Sequence, residues 1–96
     1  MLGRGAEVTE QILGAAIAVH RALGPGLLES AYEACLAFEL LERRLHIARQ
    51  SALPVVYRGV RIDCGYRLDL VVEGMVVVNV PRMREGIRRF VLDPPP

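Results

Sequence analysis

The hydrophobic period of this chain changes once, near residue 45, and that change confines it to a fold in which helices come first and strands follow. Before it, Ile12, Ala16, Val19 and Leu23 recur at three- and four-residue spacing, the apolar face of an amphipathic helix with Thr9 as its N-cap. Gly24-Pro25-Gly26 ends that helix. A second is predicted from Leu28 to Arg44, with Leu28, Tyr32, Cys35, Leu36 and Leu40 on one side and Glu33, Glu39, Glu42 and Arg43 largely on the other. From Ile47 onward short β-branched runs alternate with turn signals: Leu53-Pro54-Val55-Val56-Tyr57, Arg58-Gly59, Val60 to Asp63, then Arg67 to Val72, Glu73-Gly74 and Met75 to Val80. The order predicts an α+β domain, two N-terminal helices packed on a three- to four-stranded, mainly antiparallel sheet.

Ninety-six residues make one small domain with a single modest core. No apolar run approaches the eighteen or so residues of a membrane span, so no membrane association is expected. The polar N-terminal segment lacks the core of a signal peptide, which makes the cytoplasm the expected location. Cys35 and Cys64 stand outside any CxxC or Cys/His spacing and read as two small buried residues, neither disulfide nor zinc ligands. A formal charge of +1 supplies no global attraction to nucleic acid. All twelve basic residues are arginine, so the chain offers no side-chain amine and no lysine-dependent mechanism can be completed within it.

Two segments carry a resemblance. Gly26-Leu27-Leu28-Glu29-Ser30-Ala31-Tyr32 reads G-x-x-E-x-x-Y, and Tyr66-Arg67-Leu68-Asp69-Leu70-Val71-Val72-Glu73 reads Y-R-L-D-L-x-V-E. With them the chain resembles the GxxExxY protein family, small proteins of the PD-(D/E)XK nuclease-like superfamily, over nearly its whole length. The resemblance implies a strand with Glu-x-Lys after the strand with the Asp, but the corresponding positions here are Asn79 and Pro81. The following segment, to Leu92, resembles the family's C-terminus in frame. The expectation is therefore a truncated PD-(D/E)XK-like core: a single domain over residues 1–93 that lacks an internal block between Val78 and Asn79, of roughly 30 residues for a strand-helix-strand unit. A disordered Pro94-Pro95-Pro96 tail follows.

In that superfamily carboxylates hold Mg²⁺, which polarises a phosphodiester of nucleic acid and activates water. By resemblance Glu29 and Asp69 match two acidic positions and are the candidate Mg²⁺ ligands and catalytic residues. His20, near the helix end, and Gln50, at the start of the sheet, are weaker catalytic candidates. The residues leave plainer roles open. Glu29 suits the first turn of a helix through the macrodipole, Asp69 could pair with Arg67 on the same strand face, and His20 could lie on a polar face or cap a C-terminus. Tyr32 and Tyr66 are expected to pack between helix and sheet, and Arg82, Arg84, Arg88 and Arg89 to form a solvated basic face.

Two functions compete on these grounds. One is a catalytically inactive member of the family, its Glu-x-Lys element missing. The other is a metal-dependent nuclease or phosphodiesterase acting on nucleic acid through a residual Glu29/Asp69 site. Loss of a covering helix and strand also predicts an exposed apolar edge at Val76-Val77-Val78, and with it a homodimer that repairs the sheet.

Overall fold

The change of period is where the chain turns from helix to sheet. The computed structural model describes residues 3–24 and 26–92, with side chains through residue 87. Helices α1 (Arg4–Leu23) and α2 (Glu29–Glu42) precede strands β1 (Ile47–Ala52), β2 (Val55–Tyr57), β3 (Val60–Ile62), β4 (Arg67–Val72) and β5 (Val76–Val78), and helix α3 (Val80–Leu92) follows. The α+β class is as expected. The expected Pro94–Pro96 tail lies outside the described residues.

Helix α1 begins earlier than its polar pattern suggests, at an N-cap of Gly3; Thr9 lies inside it, its hydroxyl donating to the Gly5 carbonyl at 2.8 Å. Such a hydroxyl satisfies itself on the preceding turn, so it is no cap. Val8, Ile12, Ala15, Ala16 and Val19 line the buried face. Helix α2 answers with Tyr32, Leu36, Ala37 and Leu40, whereas Leu28, expected on the apolar side, is its exposed N-cap. Because Ala15 and Ala16 are small, Tyr32 can cross to α1, where its hydroxyl donates to the Ala16 carbonyl at 3.2 Å. At the far end of the pair Arg43 donates to Gln11 at 3.0 Å, and a Cβ at Gly14 would stand 2.9 Å from the Arg43 Nη1. Gly14 is therefore the space that lets Arg43 lie across α1.

The main sheet has the order β1-β4-β5, all antiparallel. Leu70, Val72 and Val78 are buried on its helix-covered face, while Val77, one residue out of phase, is exposed on the other. The expected meander breaks at its middle. β2 and β3 leave the main sheet as a separate two-stranded ribbon, with Val55 opposite Ile62, Val56 opposite Arg61 and Tyr57 opposite Val60. Pro54 supplies no N–H to continue the β1 ladder, and across from it Asp63 accepts the Gly65 N–H at 2.9 Å to form a tight turn with Gly65 at φ 77°. That bond and the Arg67 guanidinium hold the exposed Asp63 carboxyl below its ordinary range. The ribbon closes at Arg58-Gly59, both at positive φ, the signature of a type I′ turn.

Three packing expectations are corrected. Cys64 is exposed and Cys35 only half-buried, both as free thiols, because Cys35 packs at the margin of the core and Cys64 sits at the root of the ribbon. Tyr66 is exposed, since its position next to the Gly65 turn carries it off the helix-covered face. Arg84, expected on a solvated basic face, turns inward: its guanidinium donates to the Leu27 carbonyl and lies 5.3 Å from the centre of the Tyr32 ring; the side chains of Arg88 and Arg89, expected on the same face, lie outside the described residues.

Tyr32 should therefore be a sensitive polar residue of the core. Replacing it by phenylalanine is expected to cost about 1 kcal/mol in urea unfolding, against about 2–5 kcal/mol for Leu36→Ala. Burial raises the Tyr32 pKa above the ordinary 10.0, and the Arg84 charge offsets part of the rise. The unfolded phenol ionises first, so stability is present in full below pH 10 and falls as pH climbs through the raised value. That share of the alkaline loss should vanish in Tyr32→Phe.

Candidate functional site

The segment after β5, Asn79-Val80-Pro81, is the start of a helix. Asn79 is the cap of α3: its side-chain oxygen accepts the Arg82 N–H at 3.1 Å and its carbonyl accepts the Met83 N–H at 2.9 Å. Pro81 falls in the first turn, where the N–H it lacks has no intrahelical partner in any case. Val80, in that same turn, donates its N–H to Oδ2 of Asp69 at 2.9 Å. The half-buried Asp69 thus supplies the negative charge that a helix N-terminus favours.

This differs from the ion pair the sequence left open for Asp69. Arg67 donates to Asp63 at 3.3 Å and to the Tyr66 carbonyl at 2.8 Å, so the Arg67–Asp69 ion pair does not form. The bend at Gly65 brings Asp63 within reach of Arg67, and α3 satisfies the other carboxylate.

Glu29 is the first residue of α2 and is exposed; among the described residues it makes no hydrogen bond or ion pair. One turn further along the same helix face is an acid that sequence reasoning placed outward. Glu33 is only 8% exposed. Arg49 donates to its Oε2 through Nε at 3.3 Å and Nη2 at 3.0 Å, and Gln50 donates to its Oε1 at 2.9 Å. Gln50 reaches it at a backbone cost, with φ 50° in the middle of β1. Arg49 opposes Leu70 and Ser51 opposes Leu68, so Gln50 falls opposite Asp69, where the ladder is interrupted. Gln50 and Glu33 are thus brought together, and Asp69 lies across the strand from Gln50. The signal for Glu33 was its place one turn after Glu29 and beside Tyr32, combined with the donors of Arg49-Gln50.

His20 is also misplaced by the sequence reading. It is 7% exposed, in the last turn of α1, and its Nδ1 has no hydrogen-bond partner among the described residues. It is neither a polar-face residue nor a side-chain cap: the α1 end is closed by the Gly24 N–H on the His20 carbonyl at 2.8 Å.

Mg²⁺ requires several hard oxygen donors converging in octahedral geometry. Here Asp69 has committed one oxygen, Asn79 its side-chain oxygen, and Glu33 both. Among the described residues no three of His, Cys, Asp and Glu cluster tightly enough to hold a metal ion.

A family model for the PD-(D/E)XK nuclease superfamily matches residues 6–88. The chain belongs to this superfamily. Comparison with curated proteins and with solved structures finds no match. Members of the PD-(D/E)XK superfamily typically work with Mg²⁺ on nucleic acid. No helix among the described residues is long and apolar enough to cross a membrane.

If Asp69 serves α3, its substitutions should rank by acceptor strength. Asp69→Ala is expected to lower unfolding free energy by about 1–2 kcal/mol, and Asp69→Asn, which keeps an acceptor oxygen, by less. Urea denaturation measures both. Glu33→Gln should cost about 1–2 kcal/mol, because it removes a charge held by two guanidinium N–H groups.

Proposed function

We propose that this chain is a GxxExxY-type member of the PD-(D/E)XK superfamily that keeps the scaffold and has given up hydrolysis. The observation that carries the reading is the Val80 N–H on Asp69: the acid on the strand expected to hold metal is committed to starting a helix. Asn79 and Pro81, which stand where the resemblance implies Glu-x-Lys, form the cap and first turn of that helix. Neither can supply the carboxylate or the amine. With no lysine anywhere in the chain, the groups that would act as a unit on an attacking water are missing together.

An internal deletion between Val78 and Asn79 belongs to this reading. It is supported by α3 beginning at Val80, two residues after β5 ends, and by the exposure of Val77 on the sheet face away from the helices. What remains is a module whose inherited partner is nucleic acid, bound without cleavage. Pairing of two copies through the open β5 edge is a secondary part of the same proposal.

The competing reading, a metal-dependent nuclease or phosphodiesterase with a residual Glu29/Asp69 site, draws on the exposure and freedom of Glu29. Calorimetric titration with Mg²⁺ and with Mn²⁺, alongside cleavage assays on single- and double-stranded DNA and RNA, separates the two. The expected result is no saturable heat and no cleavage above buffer. Saturable binding that disappears in folded Glu29→Ala and Asp69→Ala variants, together with metal-dependent cleavage, overturns the proposal.

A further inference from the structure

One residue in the middle of a strand has the backbone of a turn. Among the described residues four that are not glycine stand at positive φ: Arg44 follows α2, Arg58 and Glu73 lie in hairpin turns, and Gln50, at φ 50°, alone falls inside a strand. Successive side chains of a strand point to opposite faces. Arg49 opposes the buried Leu70 and so belongs to the helix-covered face, which would put an extended Gln50 on the other face, opposite Asp69. Yet Arg49 and Gln50 donate to one carboxylate, that of Glu33, on Oε2 and Oε1 respectively. Both reach it only because the left-handed backbone at residue 50 breaks the alternation. The break also opens the ladder: the pair of Gln50 with Asp69 is missing, although Arg49 with Leu70 and Ser51 with Leu68 are formed on either side of it.

We infer that Glu33 is a positioning residue that holds Gln50 away from Asp69, and that β1 has a second arrangement, extended at residue 50, in which the Gln50 amide lies against the Asp69 carboxylate. Residues directly opposite on antiparallel strands share a face, with Cβ atoms about 4.5–5.5 Å apart, so the amide of an extended Gln50 is within reach of that acid. The acid has room for it. Oδ2 of Asp69 takes the Val80 N–H, whereas Oδ1 accepts no hydrogen bond among the described residues. The energetic balance turns on a single contact: left-handed backbone is disfavoured for any residue with a Cβ, and a hydrogen bond to a charged group offsets a penalty of that size. Removing the bond to Glu33 therefore reverses the preference of residue 50. Gln50 is shared in this way between two acids on different elements. Glu33, from α2, decides whether one oxygen of Asp69 stays open to an incoming donor or is covered by the chain's own amide. This holds whether or not the chain cleaves nucleic acid.

NMR on the whole chain reads both arrangements. The intra-residue HN–Hα Overhauser effect is strong at positive φ and weak in extended backbone, and cross-strand effects between residues 50 and 69 report the closed pair. In the wild-type protein the first is expected to be strong and the second absent. In Glu33→Ala and, separately, in Gln50→Ala the first falls several-fold, to the level of the neighbouring strand residues, and the second appears. In Glu33→Ala the Gln50 side-chain amide also gains contacts to the Asp69 side chain. Arg49→Ala, which leaves the bond between Gln50 and Glu33 in place, keeps the wild-type pattern. Gln50 is exposed and its truncation spares the pair of Arg49 with Glu33, so Gln50→Ala decides the backbone question even where Glu33→Ala lowers the melting temperature. An extended residue 50 in the wild-type protein overturns the proposal. So does a residue 50 that stays left-handed in Gln50→Ala or in folded Glu33→Ala, one that Arg49→Ala releases to the same degree, or a folded Glu33→Ala whose Gln50 amide makes no contact with Asp69.

Discussion

The placement of α3 depends on one hydrogen bond, from the Val80 N–H to Asp69. A helix that starts two residues after an edge strand must satisfy its first N–H groups within a few ångströms of the sheet, or leave them orphaned. Asp69, on the central strand β4, is the nearest anion, and its capture fixes where α3 begins. Arg84, one turn beyond the cap, then fixes the direction of the helix by reaching the Leu27 carbonyl and the Tyr32 ring. Between these two attachments Val80 and Ile87 descend into the core. The helix therefore closes the apolar side of the molecule by means of a strand acid and the tyrosine of the G-x-x-E-x-x-Y motif.

Tyr32 has a structural role on this account. Its ring is fully buried, its hydroxyl ties α2 to α1, and its face receives a cation from α3. One residue thus touches all three helices. Glu29 of the same motif makes no hydrogen bond or ion pair among the described residues, and the contrast shows that one motif can hold a packing position and an exposed one a single helical turn apart.

Much of this was legible in the sequence because periodicity reports burial. The 3.6-residue pattern located the inner face of α1 through Ile12, Ala16 and Val19, and the Arg58-Gly59 and Glu73-Gly74 pairs marked both hairpin turns. The rest was hidden for identifiable reasons. Helix α2 is apolar over most of its circumference, with Phe38 and Leu41 exposed, so its charged residues could not be sorted by pattern, and the inward Glu33 was grouped with Glu39 and Glu42. The partners of Asp69 depended on α3, which the family pattern led one to expect only after a further strand and helix. The separation of the ribbon followed from Pro54 and Gly65 acting at opposite ends of two different strands, a coincidence that no local window contains. His20 looked polar by type and is buried by position.

The ribbon also bears on how the chain reaches its fold. Pairing β1 with β4 directly would require closing the whole of residues 53–66 as a loop, with the entropy lost before any contact repays it. The type I′ turn at Arg58-Gly59 divides that step. Tyr57 and Val60 meet first across a two-residue loop, Val55 and Ile62 next, and each closure shortens the one that follows until Ala52 and Arg67 are already neighbours. Pairing then advances into the main sheet by local increments, which keeps the effective contact order low. An element that contributes almost nothing to the finished core can in this way determine how quickly the core forms.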